Sequence, residues 1–347
     1  MATAVAMPVP KARVECRWII SRGADLGLVI GSALAGYAYL LLNVALQVPI
    51  TLLWWFWSVG FDGTHIFATA SRTYFDREAR ASRRLLLFGS LAVFFSIGPA
   101  LVLLGHKAAL AILVGVWAYY HVIRQHYGFL VLYQVKHRDL DPRDKALDRA
   151  FLAAMLIFPP FHRFWIHSPR ELGMPAGWAL EARLPALEPT LAGLLAALAA
   201  VYVARQVARW RAGVPVNLPK LLLLGAVIPL HWLTFAWMSW QAAVPTITIA
   251  HNLQYHALVW FHNRNRYAPE AGGRHGRIPP AVARSLASYA ALALVFSLLY
   301  RVPGFHLGRV SDLAFGFFCG FGFTHYYLDG KIWRVRTDPA LRAALRL

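Results

Sequence analysis

The stretch LLLFGSLAVFFSIGPALVLLG, residues 85–105, decides the fold. It contains no charged side chain, with Arg83 and Arg84 just before it and Lys107 just after. A bilayer core about 30 Å thick is crossed by about 20 apolar residues in a helix, and this stretch is long enough. Working outward, nine more stretches read the same way: 25–46, 50–71, 108–133, 146–166, 188–208, 220–240, 246–263, 284–301 and 311–329. Pro159 and Pro160 interrupt the fifth in chain order, 146–166, and the last two histidine-bearing stretches, 246–263 and 311–329, are less purely apolar.

Composition agrees with this reading. The chain has 347 residues, is 58% hydrophobic and has a mean hydropathy of +0.47. Only 15% of residues are charged, against about 25% in a soluble domain. The formal charge of +19 is a different matter from a nucleic-acid footprint, because the basic residues punctuate apolar stretches instead of covering one face. No nucleic-acid partner is expected. Lys and Arg collect in cytoplasmic loops. With the N-terminus inside, 27 of the 35 basic residues fall in inner segments, and Lys107, Arg163, Arg170, Arg183, Arg301 and Arg309 fall outside. The expected fold is all-α: a polytopic integral membrane bundle of about ten transmembrane helices with both termini cytoplasmic. Residues 1–24 form a cytoplasmic N-terminal segment without the apolar region of a cleaved signal, 25–330 a single helical domain, and 331–347 a basic cytoplasmic tail. The membrane expected is of the bacterial inner (cytoplasmic) kind. Trp54, Trp55 and Trp57 then fall at the outer interface, where an aromatic belt forms.

Two cysteines, Cys16 and Cys319, exclude a disulfide scaffold and a zinc site built on several thiolates. Fourteen histidines beside them are the unusual feature. Seven of these, His65, His121, His126, His251, His256, His262 and His325, fall in the second, fourth, eighth and tenth spans, all in the cytoplasmic half. His121 and His126 are five residues apart, as are His251 and His256. Five residues turn about 140° beyond a full circle of straight helix. Either a π-bulge brings each pair onto one face, or each pair straddles a site. Asp62 stands three residues before His65 and Asp329 four after His325, so each carboxylate shares a face with its imidazole as a ligand or an orienting partner. Tyr127, Tyr255 and Tyr326 adjoin these histidines.

Three readings compete. Polar residues near helix ends reach the interface and hydrogen-bond to neighbours. Imidazoles hold iron, copper, zinc or nickel. Two imidazoles hold a b-type haem. Non-haem iron, probed by His65, His121, His126, His251, His256 and His325, with one or two Fe2+ ions, is the leading reading because carboxylates adjoin and thiolates do not. A transporter for a metal ion or proton, with a His/Asp-lined path, is the main alternative.

Four segments resemble, in the same order, those of the Brp/Blh-like membrane oxygenases: DGTHIF around His65, HYG at 126–128, HNLQYHALVWF at 251–261 and THYYLDGKIW at 324–333. That family cleaves beta-carotene to retinal with iron. The resemblance implies a four-histidine iron site at His65, His126, His256 and His325, with His121, His251, Asp62 and Asp329 as additions or outer shell. It departs at Thr69 and Val131, where the family has Asp, and in the five-residue spacing of the paired histidines. The function expected is an iron-dependent oxidoreductase using dioxygen on a lipid-soluble substrate such as a carotenoid, isoprenoid or acyl chain. An electron donor is expected on the cytoplasmic side.

Overall fold

A computed structural model of the chain describes residues 14–178, 180–268 and 274–347. It is nearly all helical. The helices are α1 (Arg22–Ala24), α2 (Ala33–Leu40), α3 (Ile50–Trp57), α4 (Gly63–Arg72), α5 (Arg77–Ser82), α6 (Arg84–Leu103), α7 (Lys107–Lys136), α8 (Pro142–Pro160), α9 (Leu184–Arg211), α10 (Leu218–Trp237), α11 (Trp240–Arg266), α12 (Ile278–Ala283), α13 (Leu286–Val310), α14 (Asp312–Ile332) and α15 (Pro339–Ala344). Four π-helical segments, Asp25–Ile30, Leu41–Ala45, Ser58–Asp62 and Phe161–His167, join or extend them. The described strands are β1 (Val14–Glu15) and β2 (Val216–Asn217), paired in parallel with Val14 opposite Val216.

Among the described residues, five helices are long and apolar enough to cross a membrane: Arg22–Ala45, α6, α9, α10 and α13. They carry apolar side chains outward, including Leu34, Leu85, Leu103, Leu194 and Leu299. Helix starts follow the sequence. Ser239, Ser285 and Ser311 accept hydrogen bonds from Ala242, Ser288 and Ala314 at the heads of α11, α13 and α14, relieving backbone donors that a helix leaves unpaired. Asp141 does the same for α8, with Pro142 at the first turn where its missing N–H costs nothing.

The described residues divide into two compact units, those within 20–126 and 237–347, and those within 14–19 and 127–236. In the larger unit, α6 and α14 approach through Gly98 and Gly316, where a side chain on either would strike the other's backbone. Gly63 at the head of α4 likewise leaves room for Ser297 of α13, whose hydroxyl donates to the Val59 carbonyl at 2.7 Å. Small residues let helix backbones come close in the absence of a strong hydrophobic drive. These contacts fix α4 and α14. Trp57, expected at an interface, is instead buried with Tyr39, Leu53 and Ile249.

In the smaller unit, charge pairs tie α8, α9 and α10, and Lys220 with Asp148 is the fully buried one among those described. Lys220, expected in an inner loop, lies inside α10 and meets Asp148 at 2.9 Å, both about 1% exposed. Arg209 meets Asp139 at 2.8 Å, and Arg205 meets Asp144 at 2.7 Å. In the larger unit α13 runs on past the expected end of its stretch at residue 301 to Val310, so that Arg309, expected beyond that stretch, is helical.

Candidate metal centre

The seven clustered histidines stand on four helices of the larger unit. α4 supplies His65, α7 supplies His121 and His126, α11 supplies His251, His256 and His262, and α14 supplies His325. α11 is lined with buried polar residues, among them Asn252, Gln254 and Asn263.

Four of the seven converge. His65, His121, His251 and His325 each offer a ring nitrogen, these nitrogens all lie within 4.8 Å of one another, and all four residues are buried. Ring centroids are 4.4 Å apart for His65 and His325, 4.7 Å for His65 and His251, and 5.0 Å for His121 and His251. The His325 and His121 Nε2 atoms are 3.1 Å apart. Metal–nitrogen bonds near 2 Å in a tetrahedron put ligand nitrogens about 3.3 Å apart, so this pair already has ligand spacing.

His65 is the informative member. Both of its ring nitrogens are buried without a hydrogen-bond partner. A neutral imidazole carries one N–H and one lone pair, and leaving buried polar groups unsatisfied costs about 1–3 kcal/mol each. Three other imidazoles around it offer an arrangement that an ion satisfies and a water-free protein does not. The donor set therefore fits a metal.

Behind His325 stands a hydrogen-bonded shell. The Thr69 hydroxyl donates to Asp329 Oδ1 at 3.0 Å and lies 2.7 Å from His325 Nδ1. Tyr255 donates to the same Asp329 oxygen at 2.6 Å, and the Trp333 indole N–H lies 3.3 Å from the Tyr255 hydroxyl. Thr69 has one proton, and Asp329 takes it, so His325 Nδ1–H donates to Thr69. That assignment leaves His325 Nε2 as a bare lone pair directed at the quartet. Asp329 itself reaches His121 Nε2 only at 3.9 Å, so it supports ligands and does not touch them at bonding distance. A carboxylate behind an imidazole is the usual way a ligand is oriented. Thr69, read in the sequence only as a departure from an Asp, is the relay between this imidazole and its carboxylate. Its signal in the sequence was its place one helical turn after His65.

Of the remaining expected residues, Tyr255 and Tyr326 pack on the quartet and the others lie away from it. The quartet implied by the resemblance, His65, His126, His256 and His325, is not the one that converges. His256 has both nitrogens engaged, Nε2 with Thr64 at 3.0 Å and Nδ1 with Tyr289 at 2.9 Å. The His126 ring is 6.4 Å from that of His251. His262 bonds Asn263 at 3.0 Å and packs on Trp333. Asp62 is paired with Arg301. Tyr127 lies under Arg149. Tyr326 stacks 4.8 Å from His121, and Tyr255 packs 4.5 Å from His65.

Of the two ways to accommodate the five-residue spacing, the π-bulge is not the one found. α7 and α11 run as unbroken α-helix through both pairs. One histidine of each pair therefore faces the quartet and the other, about 140° away, meets a different neighbour. No protein-family model, curated protein or solved structure matches the chain.

Proposed function

We propose that the chain is an integral membrane oxidoreductase with a non-haem iron centre held by His65, His121, His251 and His325, acting with dioxygen on a lipid-soluble substrate. A carotenoid, isoprenoid or acyl chain entering from the bilayer fits the class suggested by the histidine segments. The proposed arrangement has ten spans and both termini on the cytoplasmic side of a bacterial inner membrane, where an electron donor docks.

The observation that carries this reading is the buried, unpartnered imidazole of His65 inside a ring of three others. Imidazoles without thiolates suit iron, copper, zinc and nickel. An adjoining carboxylate shell and a dry, apolar setting favour iron with dioxygen among these. Bound there, iron would supply a redox-active centre with coordination positions left for dioxygen. The chain's own part is positional. Thr69 and Asp329 hold the His325 ring, Tyr255 anchors Asp329, and burial of all four ligands keeps water from the site. Four rings whose nitrogens lie this close leave no slot for a porphyrin disc, which favours a bare ion over haem.

The test is elemental analysis and optical spectroscopy of the full chain purified in detergent. Stoichiometric iron is expected in the wild type and its loss in His65→Ala and His325→Ala. Folded wild-type protein that neither carries iron nor takes it up anaerobically overturns the assignment.

A further inference from the structure

We propose that His162, His167 and Glu188 form a second metal site, taking a divalent transition-metal ion of the zinc class with one coordination position open toward an apolar cavity. This goes beyond the proposed oxidoreductase centre, since all three residues belong to the smaller unit.

His162 and His167 are five residues apart, and here a π-helical segment, Phe161–His167, does carry the pair. In a π turn residues five apart are hydrogen-bonded neighbours on one face, and the two rings are 4.5 Å apart. Pro159 and Pro160 stand just before this segment. Neither has an N–H, so the α-helical bonds to the carbonyls of Met155 and Leu156 cannot form. The Trp232 indole takes the freed Met155 carbonyl at 2.9 Å, and the chain beyond rewinds more loosely.

Glu188, on α9, faces both rings. His162 Nδ1 is 2.9 Å from one carboxylate oxygen and His167 Nε2 is 3.2 Å from the other. All three ligand atoms lie within 4.8 Å of one another. His162 Nδ1 is buried and, despite the 2.9 Å approach, has no hydrogen-bond partner. Nitrogen and oxygen therefore aim at a shared point and not at each other. The nearby cations are engaged away from Glu188: Arg163 with Ser168 and Glu171, and Arg170 with Glu181. The carboxylate keeps its charge for a ligand.

Two imidazoles and one carboxylate with a vacant fourth position is the donor set of catalytic zinc sites. The vacancy opens on a cavity of about 750 Å³ lined by Phe158, Trp232 and Phe235 together with His162 and Glu188. That volume lies in the range that holds small molecules. The occupant such a site takes is a molecule with one metal-binding group on an aromatic or aliphatic body.

The test titrates Co2+ alone into the full chain, purified in detergent and stripped with chelator, and follows d–d absorption. Losing an outer-shell partner costs about 10–100-fold in affinity, so losing a ligand costs at least about 100-fold. Two saturable components are expected in the wild type, one of which weakens at least that much in His167→Ala and in Glu188→Gln while the other stays. The His167 side chain is half exposed, and Glu188→Gln keeps the shape, so folding is not at stake in either. Wild-type isotherms in both variants, or a single component that both variants retain, overturn the site and leave a simple His–Glu ion pair. That outcome is independent of iron at the quartet, which the His65→Ala analysis reads.

Discussion

Replacing Thr69 by Val tests whether the shell behind His325 sets metal affinity. Valine keeps the volume and removes only the hydroxyl. Three contacts disappear: to Asp329 at 3.0 Å, to Tyr255 at 2.7 Å and to His325 Nδ1 at 2.7 Å. Asp329 retains the Tyr255 bond at 2.6 Å, so its loss is partial. His325 Nδ1–H loses its only close acceptor, since Asp329 stands at 3.8 Å. One orphaned buried donor costs about 1–3 kcal/mol. The ring escapes part of that cost by moving its proton to Nε2, which removes the lone pair directed at the ion. Both routes weaken metal binding, and outer-shell losses of this kind amount to about 10–100-fold in affinity, equivalent to about 1.4–2.7 kcal/mol. The assay is competition with a chelator of known affinity, in detergent, with Thr64→Val as the matched control. Thr64 bonds His256, which stands outside the quartet, so its loss leaves affinity unchanged. An unaltered affinity in Thr69→Val, or an equal fall in Thr64→Val, refutes the shell.

His121→Ala and His251→Ala should each abolish stoichiometric iron, whereas His126→Ala and His256→Ala should retain it; elemental analysis for iron in the four variants separates the observed quartet from the one implied by the segment resemblance. Lys220→Met should destabilise the smaller unit by about 3–5 kcal/mol, because Asp148 is left as an unpaired buried carboxylate, and Lys220→Met with Asp148→Leu should recover most of it; thermal unfolding in detergent reads both. Asp338 caps α15 and meets Arg83 at 2.8 Å. Burial pushes its carboxyl up, but the Leu341 N–H and Arg83 outweigh this and hold it below its ordinary value. A lowered pKa means that its stabilisation is present above the unfolded value, about 3.9, and is lost as pH falls through the folded one. Limited proteolysis of residues 333–347 should therefore accelerate below about pH 4, and Asp338→Asn, which keeps a good N-cap side chain, should remove that pH dependence.

The helical character of the chain was legible in the sequence because it rests on composition and periodicity. The helices that meet the length and hydropathy of a span and the helices that carry imidazoles are different sets. α4, α7, α11 and α14 are not among the described helices that are long and apolar enough to cross a membrane. Polar lining lowers their hydropathy, as expected of helices whose polar residues face the interior of a bundle. The location of the histidines on four helices was likewise readable, since it needs only element assignment. Which histidines meet was not, because helix rotation about its own axis is set by packing. Gly98 against Gly316 and Gly63 against Ser297 fix α14 and α4, and no spacing in the sequence announces which backbones come that close. The Asp62–Arg301 pair escaped for the same reason, since nothing in the spacing says which face of α13 meets the segment that carries Asp62.

The two outcomes of the same spacing show what decides a ligand pair. His121 with His126, His251 with His256 and His162 with His167 are each five apart. The first two lie in helices with no proline between or just before the pair, where every backbone N–H can close its bond to the fourth carbonyl back. Regular geometry then sends the partners apart, and only one of each reaches the quartet. The third lies in a π segment, which brings both rings together. The helix type around a pair, α or π, therefore decides whether both rings meet, and the five-residue spacing by itself does not.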